Sequence, residues 1–306
     1  MPVARSKVTI INLEGDQIVS IGQNRIFVSC LLLLLSFNLS FRWPVENGKI
    51  TSVFGESRGD HFHDGMDVIS PDNKIYPTEE GDLVYMWNRA LFPLDNYAGG
   101  GNYKILKHKN DMYSLYLHLE DSPSMKEVYT VNDVLGTAGN TGRSYGRHLH
   151  FSMVDMKKSR SENPLQFAAF TGDATAPKIG DALVRIGDSY TIIKDAVNIR
   201  LTKHYPLLID VTDSMGGREK LGIYRLCVNF NSAKVLEINF SGIDSSKNGL
   251  TICAKPFQDL YDEKGYYKVV DISYVEGVNT LQVIASDFQG NQATKEISFN
   301  VKLDIQ

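Results

Sequence analysis

Short runs of alternating apolar and polar residues recur along the chain from residue 41 onward. Three of them, residues 49–54, 82–87 and 112–119, are rich in β-forming residues and are bounded by Gly, Asn or Asp. An apolar period of two predicts half-buried strands, and helical periodicity is almost absent here. The pattern therefore predicts an all-β protein whose first half is an antiparallel β domain.

The second half of the chain continues this pattern with turn residues between its runs. Residues 182–186, 221–230, 281–286 and 297–301 each alternate at period two. Strands at such spacing are typical of a β-sandwich. The closing hairpin, residues 280–301, resembles the last two strands of bacterial immunoglobulin-like domains, so we expect an immunoglobulin-like β-sandwich in this half.

Length and composition divide the chain into two domains. A chain of 306 residues is long for a single domain. The stretch from Thr171 to Pro177 is small, polar and rich in structure-breaking residues, which is typical of a linker. We predict four segments: residues 1–40, a signal peptide or N-terminal anchor; residues 41–170, a first β domain; residues 171–177, a linker; and residues 178–306, the β-sandwich.

An uncharged hydrophobic run at residues 26–35 predicts export. Ten residues are too few to span a bilayer, which needs about 20, but they fit the hydrophobic region of a secretory signal cleaved after Ser40. We therefore expect a periplasmic, cell-envelope or extracellular protein, with membrane anchoring only through residues 26–40. The 24 residues before Arg25 are long and polar for a signal. An uncleaved anchor and a buried core segment therefore stay open as alternatives.

Composition and charge exclude several classes of protein. The chain has 42% hydrophobic and 22% charged residues, as in ordinary globular proteins, and its net charge of -4 argues against a nucleic-acid partner. Its three cysteines, Cys30, Cys227 and Cys253, are too few and too far apart for a cysteine-based zinc cluster or a disulfide scaffold. Cys227 and Cys253 both fall in strand-like runs, where either a disulfide or two free thiols is compatible with the sequence.

Three histidine motifs in the first half are candidates for chemistry. They are the segment from His63 to Asp67, the run of residues 116–119, and the triplet His148-Leu-His150. Residues i and i+2 of a strand share a face, so the triplet directs both imidazoles into one cleft. Histidine binds metals and transfers protons near neutral pH, which suggests one ligand and one acid/base group. Catalytic zinc sites use three protein ligands, which the first and third motifs together can supply.

The three motifs resemble those of the LytM/lysostaphin-type zinc metallopeptidases, peptidase family M23. That family has H-x-x-x-D, then Y-x-H-L, then a G-x-T-G segment leading to H-L-H-F. The corresponding segments here are residues 63–67, residues 116–119, and residues 139–142 followed by residues 148–151. The resemblance covers about residues 43–167 and implies an antiparallel β-sheet peptidase domain.

The resemblance also implies a role for each site residue. His63, Asp67 and His150 would bind Zn²⁺, and His118 and His148 would be the catalytic pair. In the family, a metal-bound water attacks the scissile carbonyl while these histidines accept its proton and stabilise the oxyanion. The implied protein is an exported zinc metalloendopeptidase that hydrolyses the peptide bonds of peptidoglycan cross-links.

The same resemblance provides an alternative function. Some family members have lost the metal ligands and act as non-catalytic activators of another cell-wall hydrolase by protein contact. The expected partners are the peptidoglycan peptide and no nucleic acid, with the second domain contacting the peptidase domain or a protein partner.

Several residues near the motifs receive a more ordinary interpretation. Arg147 and Tyr145 replace residues that are common in the family, and we expect both to line the rim of the cleft. We expect Arg58, His61 and His108 to be exposed surface residues.

Overall fold

The computed structural model of the protein describes residues 41–304, except residues 96–98, 121–124, 168–172, 216, 218 and 219. The predicted signal peptide or anchor at residues 1–40, with its hydrophobic run, lies outside the described residues, as do residues 171 and 172 of the predicted linker. Within the described part of the chain, no helix has the length and apolar character needed to cross a membrane.

Ten strands lie in the first half of the described chain. They are β1 (Lys49–Ser52), β2 (Met66–Ile69), β3 (Lys74–Ile75), β4 (Gly81–Trp87), β5 (Asn102–Lys107), β6 (Met112–Leu119), β7 (Val128–Tyr129), β8 (Gly136–Thr137), β9 (Leu149–Asp155) and β10 (Arg160–Glu162). Two short 3₁₀ turns, Lys109–Asp111 and Pro164–Gln166, follow β5 and β10.

Twelve strands and one short helix follow in the second half. They are β11 (Lys178–Ile186), β12 (Ser189–Ile193), β13 (Asn198–Leu201), β14 (Leu207–Thr212), β15 (Arg225–Phe230), β16 (Ala233–Asn239), β17 (Gly242–Ser246), β18 (Gly249–Ile252), β19 (Lys255–Pro256), α1 (Phe257–Leu260), β20 (Tyr267–Val269), β21 (Gly277–Ser286) and β22 (Gln292–Leu303). The prediction of an all-β protein is confirmed.

One antiparallel sheet positions the candidate site. Its strands run β7-β4-β5-β6-β9, with β2 also paired to β9 and β1 paired to β2. Strand β9 is buried along almost its whole length, and its apolar residues Leu149, Phe151 and Met153 alternate with the polar residues His150 and Ser152. His150 in β9 lies opposite Asp67 on β2 and opposite Leu117 on β6. The register of these three strands therefore brings the first and third sequence motifs together.

The second half contains two further sheets. One has the order β12-β11-β14-β20 and the other β13-β22-β21-β15-β16. Their buried side chains belong to one hydrophobic cluster. The pairings within these two sheets are antiparallel except that of β13 with β22, which is parallel. Its immunoglobulin-like character stays a prediction.

The two halves share a sheet. Strand β10 pairs antiparallel with β17, and β18 and β19 follow, so the second half adds three strands to the sheet of the first. At this junction Arg160 Nη1 donates a hydrogen bond to Asp244 Oδ1 over 2.7 Å. The described residues from Phe41 onward form one compact unit. The predicted linker at residues 171–177 marks a change in composition, but backbone hydrogen bonds between β10 and β17 join the halves on either side of it.

The two cysteines of the second half are free thiols. Cys227 is buried on β15, whereas Cys253 is exposed in the turn between β18 and β19. Of the two states that the sequence allowed, the structure has the unpaired one.

Candidate metal centre

Three donor atoms from distant parts of the sequence meet at one point. His63 Nε2 lies 3.2 Å from Asp67 Oδ1 and 3.1 Å from His150 Nδ1, and the last two atoms are 3.0 Å apart. All three side chains are buried. Asp67 and His150 face each other across β2 and β9, and His63 approaches from the loop just before β2. The group is therefore able to hold a metal ion.

The outer nitrogen of each of these histidines is held by an oxygen. His63 Nδ1 lies 2.8 Å from the Val53 carbonyl oxygen, which can only accept a hydrogen bond. Nδ1 must therefore carry the proton, and Nε2 presents its lone pair to the centre. His150 is turned the other way, with Nε2 3.0 Å from Ser152 Oγ and Nδ1 facing the centre. Such outer hydrogen bonds fix the orientation and the tautomer of metal-binding histidines.

Arg58 holds the second oxygen of Asp67. Its Nη2 lies 2.5 Å from Asp67 Oδ2 and 2.9 Å from Ser52 Oγ. Arg58 is exposed, as expected, but its guanidinium group orients the carboxylate so that Oδ1 faces the histidines. The sequence analysis missed this role. The only sequence signal for it is that Arg58 lies just upstream of His63.

A single glycine allows β2 to approach β9 this closely. A Cβ atom at Gly65 would lie 2.6 Å from His150 Nε2 and 2.5 Å from Ser152 Oγ. Contacts of that length do not occur between real side chains, so any larger residue here would displace His150. Gly65 is therefore part of the geometry of the centre.

The charges of the group favour a cation. Burial alone would raise the pKa of Asp67, but its contacts with His150 and His63 outweigh this effect and hold that pKa well below its usual range. Burial lowers the pKa of His63. For His150, burial acts downward, but hydrogen bonds to Asp64 and Asp67 prevail and raise the pKa to about 9. In the metal-free chain, His150 is therefore protonated at neutral pH. A bound metal ion would take the place of that positive charge.

Two further histidines flank the centre. His118 Nδ1 lies 2.8 Å from the Thr141 carbonyl oxygen, and His148 Nδ1 lies 2.9 Å from that of Gly146. Each carbonyl accepts an N–H, so each Nε2 is left as a proton acceptor. The two rings are 5.0 Å apart, and His148 Nε2 lies 3.7 Å from Asp67 Oδ1. The structure therefore brings together all five residues that the resemblance singled out.

His118 is neutral and conformationally constrained. Burial lowers its pKa to about 4, so the imidazole is uncharged at neutral pH and can accept a proton. Its backbone has a φ of 61°, in the left-handed region that residues other than glycine rarely occupy. The backbone N–H of His118 donates a hydrogen bond to the Gly100 carbonyl over 2.9 Å. Strain of this kind is often found at functional residues.

Two glycines bring the Thr141 carbonyl to His118. Gly101 and Gly142 have φ values of 64° and 79°. A Cβ at Gly101 would lie 2.4 Å from the Thr141 carbonyl, and one at Gly142 would lie 2.3 Å from the Gly101 nitrogen. Only glycine permits these two backbone segments to pack so closely. The G-x-T-G segment therefore places the hydrogen-bond acceptor of His118.

The family model for peptidase family M23 matches residues 61–164, a range that contains all five of these residues. Residues 61–164 therefore form a peptidase family M23 domain. A second family model matches residues 176–302.

Relatives of known name match part of the chain. The murein hydrolase activator NlpD of Escherichia coli (strain K12) is 37% identical over 131 residues, which are 42% of this chain and 31% of NlpD. The peptidoglycan DD-endopeptidase ShyA of Vibrio cholerae is 32% identical over 122 residues, 37% of this chain and 26% of ShyA. The chain thus spans less than a third of the length of either curated relative. Among solved structures, a zinc containing peptidase from Vibrio cholerae is 28% identical over 38% of this chain and 37% of that chain, with a TM-score of 0.32.

The surface of the M23 domain next to His148 carries the two expected rim residues. Tyr145 is fully exposed. Arg147 forms an ion pair with Glu120 over 2.6 Å and donates to the Ala138 carbonyl over 3.1 Å. His61 is exposed beside Asp60, as expected.

The expectation that His108 is exposed is wrong. Its Nδ1 lies 3.0 Å from the Glu80 carbonyl oxygen and its Nε2 lies 2.6 Å from Ser114 Oγ. The ring is buried because it packs against Gly81, where a Cβ would lie 2.8 Å from Nδ1. His108 is a structural residue of the M23 domain.

Aromatic residues of the second half pack against the loop that carries His63. Phe62 makes edge contacts with Phe257 at 5.3 Å and with Tyr261 at 6.2 Å between ring centroids. The Tyr261 hydroxyl donates to the Gly55 carbonyl over 2.9 Å. The position of His63 therefore depends on both halves of the chain.

A polar chain of contacts makes the same connection. The Gly222 N–H donates to Glu56 Oε1 over 2.7 Å, and Glu56 Oε2 accepts a hydrogen bond from Ser52 Oγ. Ser52 Oγ in turn lies 3.1 Å from His63 Nδ1. Glu56 thus links a backbone group of the second half to the surroundings of a candidate metal ligand.

Proposed function

We propose that this chain is a zinc-dependent endopeptidase that hydrolyses peptide bonds of peptidoglycan cross-links. The observation that carries the proposal is a buried His63, Asp67 and His150 group flanked by two histidines whose Nδ1 atoms are each held by a backbone carbonyl. Relatives named for murein and for peptidoglycan support the substrate class.

The donor set fits zinc. Zn²⁺ favours nitrogen and oxygen donors at about 2.0–2.1 Å, so tetrahedral ligands lie about 3.3 Å apart. The three donor atoms here are separated by 3.0–3.2 Å. Three protein ligands leave a fourth position open, which is the pattern of catalytic zinc sites. When bound, Zn²⁺ supplies a water of lowered pKa, about 7, and polarises a carbonyl group.

The flanking histidines have the geometry for proton transfer. His118 is neutral because burial lowers its pKa to about 4, so its Nε2 can accept a proton from the attacking water. His148 Nε2 faces the same centre, with its outer N–H held by the Gly146 carbonyl. A protonated imidazole at either position can donate a hydrogen bond to the developing oxyanion and a proton to the leaving amine.

The alternative function is activation of another cell-wall hydrolase by protein contact. It is favoured by the 37% identity to a protein named as a murein hydrolase activator. The presence of all five candidate residues favours the enzyme.

Metal analysis and hydrolysis of purified peptidoglycan sacculi distinguish the two functions. For the enzyme, we expect one zinc ion per chain and release of soluble peptides, both lost in His150→Ala. The matched control is His61→Ala, which removes an exposed histidine outside the group and should change neither. A metal-free, well-folded chain that stimulates a second hydrolase without cleaving sacculi itself would support the activator.

We also propose that the chain acts outside the cytoplasm, in the cell envelope. The predicted signal or anchor at residues 1–40 supports this location, as do relatives named for murein and peptidoglycan. Fractionation of cells that express the full chain tests it, and recovery only in the cytosol would contradict it.

A further inference from the structure

Three aspartates that are distant in sequence form a second acidic cluster. Asp173 precedes β11, Asp213 follows β14, and Asp287 follows β21. One carboxylate oxygen from each lies within 4.8 Å of the other two. None of the three belongs to the His63, Asp67 and His150 group. The fold thus concentrates three negative charges at a point where the M23 domain meets the second half.

Within the residues that the structure describes, two oxygens of this cluster are buried without a hydrogen-bond partner. Asp213 is 5% exposed, and its Oδ1 has no partner. Asp173 Oδ2 is in the same state. A buried polar atom normally has a partner because leaving it unpaired costs its full desolvation energy. Two unpaired carboxylate oxygens within a cluster of three carboxylates call for a positive charge nearby.

The remaining contacts hold the three segments in place. Asn291 Nδ2 donates to Asp287 Oδ2 over 2.7 Å and to the Asp173 carbonyl over 3.1 Å. Asp287 Oδ1 accepts from the Asn291 N–H over 2.9 Å. Burial, together with the charges of Asp173 and Asp287, raises the pKa of Asp213 to about 6, as expected for carboxylates that repel each other.

A small cavity adjoins the cluster. It has a volume of about 20 Å³ and is lined by the three aspartates together with Val53, Phe54 and Phe288, among others. A space of that size accommodates one water-sized particle. Val53 also provides the carbonyl that accepts the N–H of His63. An ion bound here would therefore lie next to the backbone that orients a candidate metal ligand.

We propose that Asp173, Asp213 and Asp287 bind a Ca²⁺ ion that fastens the segment before β11 to the loops after β14 and β21. The donors are all hard oxygens, which Ca²⁺ prefers, whereas zinc sites are richer in nitrogen and sulfur. Ca²⁺ takes six to eight oxygen ligands in flexible geometry, so backbone carbonyls and water complete its coordination.

Calorimetric unfolding of the full chain tests the proposal without any measurement of peptidase activity. The chain is stripped of metal with EDTA, dialysed into chelator-free buffer and titrated with CaCl₂. We expect saturating Ca²⁺ to raise Tm by about 5 °C, because it binds only the folded chain. The His150→Ala variant should keep this response, which separates the site from the M23 centre. A wild-type Tm that does not change in millimolar Ca²⁺ overturns the proposal.

The Asp213→Asn variant should differ from the wild type both in metal-free buffer and in its response to Ca²⁺. In metal-free buffer its Tm should be higher than that of the wild type, because one of three repelling charges is removed. With Ca²⁺ present, its Tm should no longer rise. The matched control is Asp188→Asn, which changes a fully exposed aspartate in the turn after β11 and should keep the wild-type response. An undiminished Ca²⁺ response in Asp213→Asn, or a lower Tm in metal-free buffer, would show that these carboxylates serve only as hydrogen-bond acceptors.

Discussion

Each of the four site histidines has one ring nitrogen held by an oxygen. For His63, His118 and His148 the outer partner is a backbone carbonyl, and for His150 it is the Ser152 hydroxyl. The three carbonyl contacts therefore set the tautomers of His63, His118 and His148 before any metal or substrate arrives, because a carbonyl oxygen can only accept a hydrogen bond. This preorganisation favours both metal binding and proton transfer.

Metal affinity should depend on pH through His150. Its pKa of about 9 in the metal-free chain means that it is protonated at pH 6–8 and must lose that proton to bind a metal. The dissociation constant for Zn²⁺ should therefore fall about tenfold for each unit that the pH rises between 6 and 8. Competition with a chromophoric chelator measures it. A dissociation constant independent of pH over this range would contradict the assignment of His150 as a ligand.

The histidines and their roles follow from motif spacing, but their hydrogen-bond acceptors do not. Spacing identifies His63, His118, His148 and His150 because the motif residues are chemically distinctive. A backbone carbonyl such as that of Thr141 is present at every position of a chain, so only the fold can select it. For the same reason the sequence analysis missed the role of Arg58, whose partner Asp67 is determined by the path of the loop.

At the scale of elements, the loop of residues 53–63 connects the candidate site to the second half. It provides the Val53 carbonyl that holds His63, and its residue Phe62 packs on Phe257. Glu56 fixes the middle of the loop by accepting hydrogen bonds from Gly222 and Ser52. Contacts of this kind determine how precisely a metal ligand is positioned.

Replacing Glu56 with glutamine should weaken metal binding without unfolding the chain. The amide nitrogen cannot accept a hydrogen bond, so one of the two contacts is lost. We expect zinc affinity to fall about tenfold, the lower end of the effect seen for outer contacts of metal ligands. Glu46→Gln is the control, because Glu46 is exposed and pairs only with Arg42 in the contacts described for it. Equal zinc affinity in the two variants would show that Glu56 does not position His63.

Most strands were predictable because their apolar residues alternate. The predicted runs at residues 49–54, 82–87 and 112–119 correspond to β1, β4 and β6. Strand β22 is longer than the predicted run of residues 297–301. The run missed its first five residues because they are exposed or half-buried and show no apolar alternation. Conversely, the run at residues 221–230 becomes a strand only from Arg225 onward.

At the scale of the whole molecule, the second half completes the sheet of the M23 domain. Strands β17–β19 cover the edge at β10, and Phe257 and Tyr261 cover Phe62. No local pattern predicts such a pairing, because backbone hydrogen bonds between edges do not depend on the side chains that alternate along them. The change in composition at residues 171–177 predicts a domain boundary but carries no information on which strand edges pair.

A chain that ends at Gly172 should therefore be less stable than the full chain. It would expose the β10 edge and the Phe62 ring, and free edges and apolar patches favour aggregation. We expect the M23 domain of the shortened chain to unfold at a lower temperature or to aggregate. Thermal unfolding of both chains in the same buffer checks this, and an equal Tm in a soluble shortened chain would contradict it.

The central claim is that a single metal centre and two histidines together hydrolyse peptidoglycan. Mass analysis of the muropeptides released from defined sacculi by the zinc-loaded wild type and by His148→Ala tests it most directly. The account predicts cleaved cross-links from the wild type, and a His148→Ala chain that keeps its zinc but releases at least about 100-fold less. Full release of the same muropeptides by His148→Ala would contradict it.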